Sequence, residues 1–255
     1  MKFIRYQNKN QAPQYGWIYE DRVGPVEGEP FGEYRRLEVE TPLSEVRLLA
    51  PILPGKIICV GRNYVEHARE HDVEVPEWPM LFMKPPSSII GPDELIYLPP
   101  QSAQVEHEVE LAVVIGKQGR WIQPDEALSH IFGYTLANDV TARDLQRKDG
   151  QWTRAKGFDT FCPIGPWIET DLDPSDVLLS CRVNGEMRQM ASTREMVFTV
   201  NQLIAFISSI MTLLPGDVIL TGTPAGVGPL MVGDIVECSG EGIGFLSNRI
   251  MKPVI

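Results

Sequence analysis

The sequence predicts an α+β fold dominated by mixed or antiparallel sheet. Three observations carry this reading. Strand-like runs outnumber helical patterns along the 255 residues. No steady strand–helix alternation marks a doubly wound parallel sheet. Asn184-Gly185, inside "LLSCRVNGEMRQM", is a strong hairpin signal.

Residues 1–50 read as a small β-rich domain. "KFIRY" and "YGWIYE" are its strands, with turns expected around Gly24-Pro25 and at Gly28. A proline-marked link, "LLAPILPG", then opens a larger domain over residues 51–255. "KIICVG" is a short apolar strand. "RNYVEHAREHD" is a short helix, with Asn63 as cap and Glu66 three residues on as a capping-box partner. "PMLFMKPP" is a strand, and "HIFGYTLANDVTARDLQ" a strand, a turn and a short helix. From Val200 to Leu214 the apolar residues keep helical spacing, and Pro215-Gly216 is expected to stop that helix. "DVILTGTPAGVG" and "GDIVECSG" give the last strands, separated by a glycine-rich loop.

Composition narrows the function. The net charge of −11 argues against nucleic acid or an anionic membrane as the main partner. It leaves room for a small anionic substrate in a local cationic pocket. Four scattered cysteines (Cys59, Cys162, Cys181, Cys238) lack a CxxC pattern and read as reduced thiols of a cytoplasmic protein. "MKFIRYQNKN" has no apolar signal core, and no apolar stretch is long enough to span a bilayer.

"QVEHEVELAVVIG" (104–116) carries the sharpest chemical signal. Read as one strand, it puts Glu106, Glu108 and Glu110 on one face and Val105, His107, Val109 and Leu111 on the other. The apolar continuation marks a buried strand, so the carboxylates point inward. Neighbouring carboxylates away from water raise each other's pKa or require a cation. Their oxygens suit hard ions such as Mg²⁺, Mn²⁺ or Ca²⁺. The alternative is a solvated acidic edge strand. Asp139, at the end of an apolar run, can supply a third carboxylate or serve as a plain turn residue.

His67 and Glu70 are three apart on the short helix and share a face. A carboxylate beside an imidazole fixes its tautomer and prepares a general base. A competing zinc reading through His67 and His71 is disfavoured, because no HExxH or cysteine partner accompanies them. "TGTPAGVG" (221–228) matches no nucleotide-binding loop, yet it can offer backbone N–H groups and the Thr223 hydroxyl to a carboxylate. Lys84, Arg143 and Lys156 are the cationic candidates, each by itself read as a surface residue.

Together these pieces resemble the fumarylacetoacetate hydrolase family. The match runs in order through "GRNYVEHARE", "LFMKP", "EHEVELAVVIG", "GYTLANDVTARDLQ", "WTRAKGFDTFCPIGP" and "PGDVILTGTPAGVG", across roughly residues 55–250. Any one motif is weak, but six in register are specific. The small N-terminal unit is similar to that of bacterial-type members. The resemblance implies a β-rich mixed β-roll and a homodimer. It also implies one Mg²⁺ or Mn²⁺ held by Glu108, Glu110 and Asp139, with Glu106 just outside the ligand set. It places a His67–Glu70 base pair and Lys156 in the catalytic group. Arg143, Gln146 and Thr223 fall at positions that hold the oxo-acid end of a substrate.

The chemistry so implied is a metal-stabilised enolate of a small 2-oxo or enol acid, with a place in aromatic catabolism. The first expectation is a hydrolase that cleaves a C–C bond in acylpyruvate- or fumarylpyruvate-type β-diketo acids, with His67 activating water. The second is a decarboxylase, or an isomerase or tautomerase, of 2-oxo dicarboxylic acids of the oxaloacetate or 2-hydroxyhepta-2,4-diene-1,7-dioate class. A non-catalytic metal-binding protein is the remote third. Residues 72–79 read equally as a lid that orders over bound substrate and as a fixed surface loop.

Overall fold

A computed structural model describes residues 1–9 and 11–253. The fold is β-rich with few helices, as the sequence predicts. One large sheet runs in the order Arg22–Gly28, Gln14–Tyr19, Lys2–Gln7, Cys162–Glu169, Ile131–Asn138, Val109–Ile115, Val218–Leu220, Ile57–Gly61 and Met80–Lys84. It is mixed: Val218–Leu220 pairs parallel with Ile57–Gly61, whereas Val109–Ile115 pairs antiparallel with both of its neighbours. The N-terminal strands are continuous with this sheet, because Lys2 and Phe3 pair with Glu169 and Ile168. A second, five-stranded sheet packs Leu95–Tyr97, Gly244–Met251, Ile235–Gly240, Leu178–Val183 and Glu186–Ser192.

The main core lies where these layers meet. Val109, Leu111, Val113 and Ile115 face Leu136, Leu179, Val236 and Leu246 there. Ala112 and Val114 turn to a separate cluster with Ile57, Cys59, Ile164 and Leu220. Both faces of the 109–115 strand are therefore buried, which explains why its sequence is apolar without alternation. The four cysteines are buried free thiols.

Among the described residues, four α-helices decorate the sheets: α1 (Val65–Glu70), α2 (Arg143–Asp149), α3 (Thr153–Lys156) and α4 (Val200–Ile210). The hairpin forms as its sequence dictates. Val183 pairs with Glu186, and Asn184 and Gly185 both take positive φ, the requirement of a type I′ turn.

Four local expectations are corrected. Gly24 and Pro25 lie inside a strand, paired with Trp17 and Gly16, and the turn sits earlier, where Glu20 has φ 51°. Asn63 does not cap α1. Its amide donates to the Phe198 and Thr221 carbonyls, its side-chain oxygen accepts from the Phe198 N–H, and Tyr64 stands at the cap position. Glu66 pairs with Arg69 on the exposed face instead of closing a capping box. Helix α4 ends at Ile210, before Pro215, because Met211 is already extended at ψ 152°.

The glutamate strand is also not continuous. Val105–His107 belongs to a small three-stranded sheet with Thr141–Ala142 and Gly228–Pro229, and the large-sheet strand starts only at Val109. Glu108 occupies the break. Its N–H donates to Asn138 Oδ1 (2.9 Å), and its carbonyl accepts from the Asp139 N–H (2.8 Å). The break thus locks Glu108 beside Asp139 through the main chain.

Segment 72–79, which the sequence leaves open between a lid and a fixed loop, leaves the end of α1, where the Val73 N–H donates to the Ala68 carbonyl. Its Trp78 ring stacks on Phe206 of α4 at 6.3 Å.

Candidate active site

Eight of the nine residues to which the resemblance gives a catalytic, metal or substrate role line one cleft: His67, Glu108, Glu110, Asp139, Arg143, Gln146, Lys156 and Thr223. The ninth, Glu70, stands behind His67. The floor comes from strand ends, with Glu110 on the 109–115 strand and Asp139 just past Asn138. The walls come from α1, α2, the end of α3, and the loop after Val218–Leu220.

Glu108, Glu110 and Asp139 each place a carboxylate oxygen within 4.8 Å of the other two. All three side chains are buried. The structure therefore gathers the acidic trio that the resemblance implies, and the set is all oxygen, the donor chemistry of Mg²⁺ and Mn²⁺. Glu106 is not one of the three. Its Oε2 accepts from Arg143 Nε at 2.7 Å. It lies just outside the trio, 5% exposed and sealed behind that guanidinium.

The three cations are not surface residues. Lys84, Arg143 and Lys156 are 2%, 4% and 2% exposed, because each is paired to a buried carboxylate. Lys156 Nζ donates to Glu108 Oε2 (2.9 Å) and Asp139 Oδ2 (2.6 Å). Lys84 Nζ donates to Asp139 Oδ1 (2.6 Å) and to the Val140 carbonyl (3.2 Å). Arg143 divides its guanidinium among Glu106, Glu108 Oε1 (2.5 Å) and Gln146 Oε1 (2.7 Å). Arg143, expected with Gln146 at the oxo-acid end of a substrate, binds the protein's own carboxylates, and Gln146 Oε1 braces its guanidinium.

The electrostatics divide Glu108 from Glu110. Burial alone would raise the Glu108 pKa, but Lys156 and Arg143 outweigh it and hold Glu108 well below the usual carboxylate range. Glu110 has no cation hydrogen-bonded to it among the described residues. Burial, then the charges of Asp139 and Glu108, push it well above that range, against the charge of Lys156 and one hydrogen bond from the Gly222 N–H (2.7 Å). Four buried carboxylates thus face three buried cations, and Glu110 is the group left to bind a proton. A divalent ion is the natural substitute for that proton, so the donor set fits one.

On α1, His67 Nδ1 lies 3.2 Å from Glu70 Oε2. Burial opposes ionisation of Glu70, but the hydrogen bonds from His67 and from the Gly226 N–H (3.1 Å) prevail and lower its pKa. Glu70 is then a carboxylate and can only accept, so Nδ1 is the donor, and in the neutral imidazole the lone pair lies on Nε2.

The 221–228 loop does present backbone N–H groups to carboxylates, but to those of the protein: Gly222 serves Glu110 and Gly226 serves Glu70. Both glycines have positive φ, at 96° and 98°. A Cβ on Gly226 would lie 2.0 Å from the Arg188 carbonyl, so a side chain there is excluded. The Thr223 hydroxyl is committed inward, donating to the Val109 carbonyl (2.8 Å) and accepting from Gln189 Nε2 (2.8 Å).

Gln189 was not anticipated. It is buried, donates also to the Pro224 carbonyl (2.7 Å), and accepts from the Val109 N–H (3.1 Å) and His107 Nδ1 (2.9 Å). It stitches the five-stranded sheet to the cleft loop. Nothing in "EMRQM" distinguishes it from an exposed strand residue.

Residues 56–251 match the family model described as fumarylacetoacetate (FAA) hydrolase C-terminal. The chain belongs to this family. Residues 1–51 match a second model, described as Rv2993c-like, N-terminal. Among curated relatives, the human mitochondrial oxaloacetate tautomerase FAHD2A is 49% identical over 223 residues, spanning 82% of this chain and 71% of that protein. Among solved structures, 2-hydroxyhepta-2,4-diene-1,7-dioate isomerase from Mycobacterium marinum superposes with a TM-score of 0.92 at 44% identity, covering 100% of both chains. 5-Carboxymethyl-2-hydroxymuconate delta-isomerase from Mycobacterium smegmatis gives 0.93 at 47% identity, covering 99% of this chain and 100% of that one. Among the described residues, no helix is long and apolar enough to cross a membrane.

Proposed function

We propose that this protein is a Mg²⁺- or Mn²⁺-dependent isomerase or tautomerase of small 2-oxo/enol dicarboxylic acids. One observation carries the reading: an oriented imidazole base and a three-carboxylate cluster line a single cleft. Tautomerisation needs only that a proton leave one atom of the substrate and return to another. The names of the relatives, an oxaloacetate tautomerase and two isomerases of hydroxydienoic and hydroxymuconic acids, support this reading over the hydrolase expected first.

Glu108, Glu110 and Asp139 would hold the ion. When bound, it supplies Lewis-acid polarisation of a substrate oxygen. The remaining work falls to the chain. His67, with Glu70 accepting its Nδ1–H, presents Nε2 to take the proton next to the substrate carbonyl and to return it. Lys156 and Arg143 place positive charge beside the carboxylates, which offsets the negative charge that a dianionic substrate brings. Lys84 holds Asp139 in place and lies outside the cleft lining.

A second reading is kept: C–C hydrolysis of an acylpyruvate by a water that His67 activates. Its support is the same base. One panel separates the two. Purified protein with Mg²⁺ or Mn²⁺ is offered oxaloacetate, 2-hydroxyhepta-2,4-diene-1,7-dioate and an acylpyruvate. Ultraviolet absorbance follows keto–enol interconversion, and chromatography follows cleavage. Accelerated interconversion without cleavage is the expected result; cleavage of the acylpyruvate alone overturns the isomerase reading in favour of the hydrolase.

A further inference from the structure

We propose that His67, Glu70 and His71 form a second metal site, one that takes Zn²⁺ or a similar borderline ion and silences the base by binding it. The inhibitory half of this proposal rests on the role given to His67 above; the binding half does not.

The three residues stand at i, i+3 and i+4 on α1 and its C-cap, so their side chains emerge on one face. One ligand atom from each lies within 4.8 Å of the other two. The His67 and His71 rings meet edge-on, with centroids 4.8 Å apart. Ligand atoms around a tetrahedral zinc sit roughly 3.3–3.5 Å apart, given bonds of roughly 2.0–2.1 Å.

An independent observation marks the same place. His71 Nε2 is buried and has no hydrogen-bond partner among the described residues, while the residue lines the cleft. A buried ring nitrogen without a partner is costly unless something binds it. His71 is not needed for the His67–Glu70 hydrogen bond, so neither the base nor the acidic cluster explains its position.

The two clusters differ in the ions they select. Glu108, Glu110 and Asp139 offer only oxygens, whereas two imidazole nitrogens with one carboxylate suit Zn²⁺, Co²⁺ or Ni²⁺. Three protein ligands leave one position of a tetrahedron for water. The ion would hold lone pairs that the base needs for proton transfer, so it inhibits without displacing Mg²⁺.

Cobalt makes the site visible, because a four-coordinate ion absorbs far more strongly than a six-coordinate one. Co²⁺ is titrated into the full-length protein saturated with Mg²⁺, and Zn²⁺ inhibition is measured in parallel. The expected result is an intense visible band that saturates at one equivalent per chain. It survives in Asp139→Asn and is lost in His71→Asn, whose Zn²⁺ inhibition constant rises by at least about tenfold. No band in wild type, or a band lost in Asp139→Asn and kept in His71→Asn, overturns the site. A band of the expected pattern with no inhibition by Zn²⁺ upholds the site and overturns the role of His67 as base.

Discussion

The ammonium of Lys84 lies 2.6 Å from Asp139 Oδ1, with both side chains sealed from solvent. The pair ties the end of the Met80–Lys84 strand to the acidic cluster from the side away from the cleft. Removing one partner of a buried ion pair leaves an uncompensated charge and costs about 3–5 kcal/mol. Lys84→Met should therefore lower the urea-unfolding free energy by about that amount when no divalent ion is present. Mg²⁺ should recover more stability in this variant than in wild type, because the ion supplies the missing positive charge and binds only the folded state. A loss below about 1 kcal/mol would show that the pair is replaceable.

Glu110 gives the acidic cluster a pH dependence with a definite sign. Its folded pKa is raised above 4.5 by burial and by the charges of Asp139 and Glu108. The native state thus keeps a proton that the unfolded chain loses above that pH. The stabilisation is full below 4.5 and declines as pH rises toward the raised value, by up to about 1.4 kcal/mol per pH unit. Glu108, with its pKa lowered, acts in the opposite window and loses its contribution only as pH falls below 4.5. The metal-free protein should grow less stable above that pH, and Glu110→Gln should flatten the decline. Mg²⁺ must displace the same proton, so its affinity should rise with pH by up to about tenfold per unit. Calorimetry in two buffers of different ionisation enthalpy counts the proton, and a count of zero would disprove the assignment.

His67 and Glu70 should separate from the metal site in mutant kinetics. Loss of a general base costs about 100- to 10,000-fold in rate. His67→Ala should lower kcat on the best substrate of the panel by that factor, with Mg²⁺ affinity near that of wild type. Glu70→Gln keeps an acceptor for the Gly226 N–H but loses the charge facing His67. A loss of about 10- to 100-fold in kcat with little change in KM is expected. An unaltered rate in His67→Ala would remove the imidazole from the mechanism.

Short-range pattern made much of the site legible. The Glu-x-Glu spacing, the His67–Glu70 step on a helix and the Asn184-Gly185 turn all fall within a few residues, where strand and helix periods apply directly. The break at Glu108 was not legible, because alternation reads the same through a continuous strand and an interrupted one. Lys84 looked like a surface lysine because its partner Asp139 lies 55 residues on. Asn63 looked like a helix cap because the groups that claim its amide, Phe198 and Thr221, are 135 and 158 residues away. Residues recruited by tertiary contact carry no local signature, and Gln189 is the clearest case.

Gln189 is where that hidden layer can be tested. Its side chain satisfies four groups: the Val109 N–H, His107 Nδ1, the Thr223 hydroxyl and the Pro224 carbonyl. Gln189→Leu keeps the volume and removes every polar contact. The Val109 N–H, beside the break at Glu108, would be left buried without its acceptor, and each group so stranded costs about 1–3 kcal/mol. A total loss of several kcal/mol is therefore expected, with faster amide exchange across 221–226. The Gly222 and Gly226 amides belong to that segment and serve Glu110 and Glu70, so metal affinity and kcat should fall together although Gln189 is not part of the cleft lining. Gln189→Glu retains the acceptor but loses the donors to Thr223 and Pro224. It should preserve the Val109 contact while loosening the loop, a split that a purely space-filling role for this side chain would not produce.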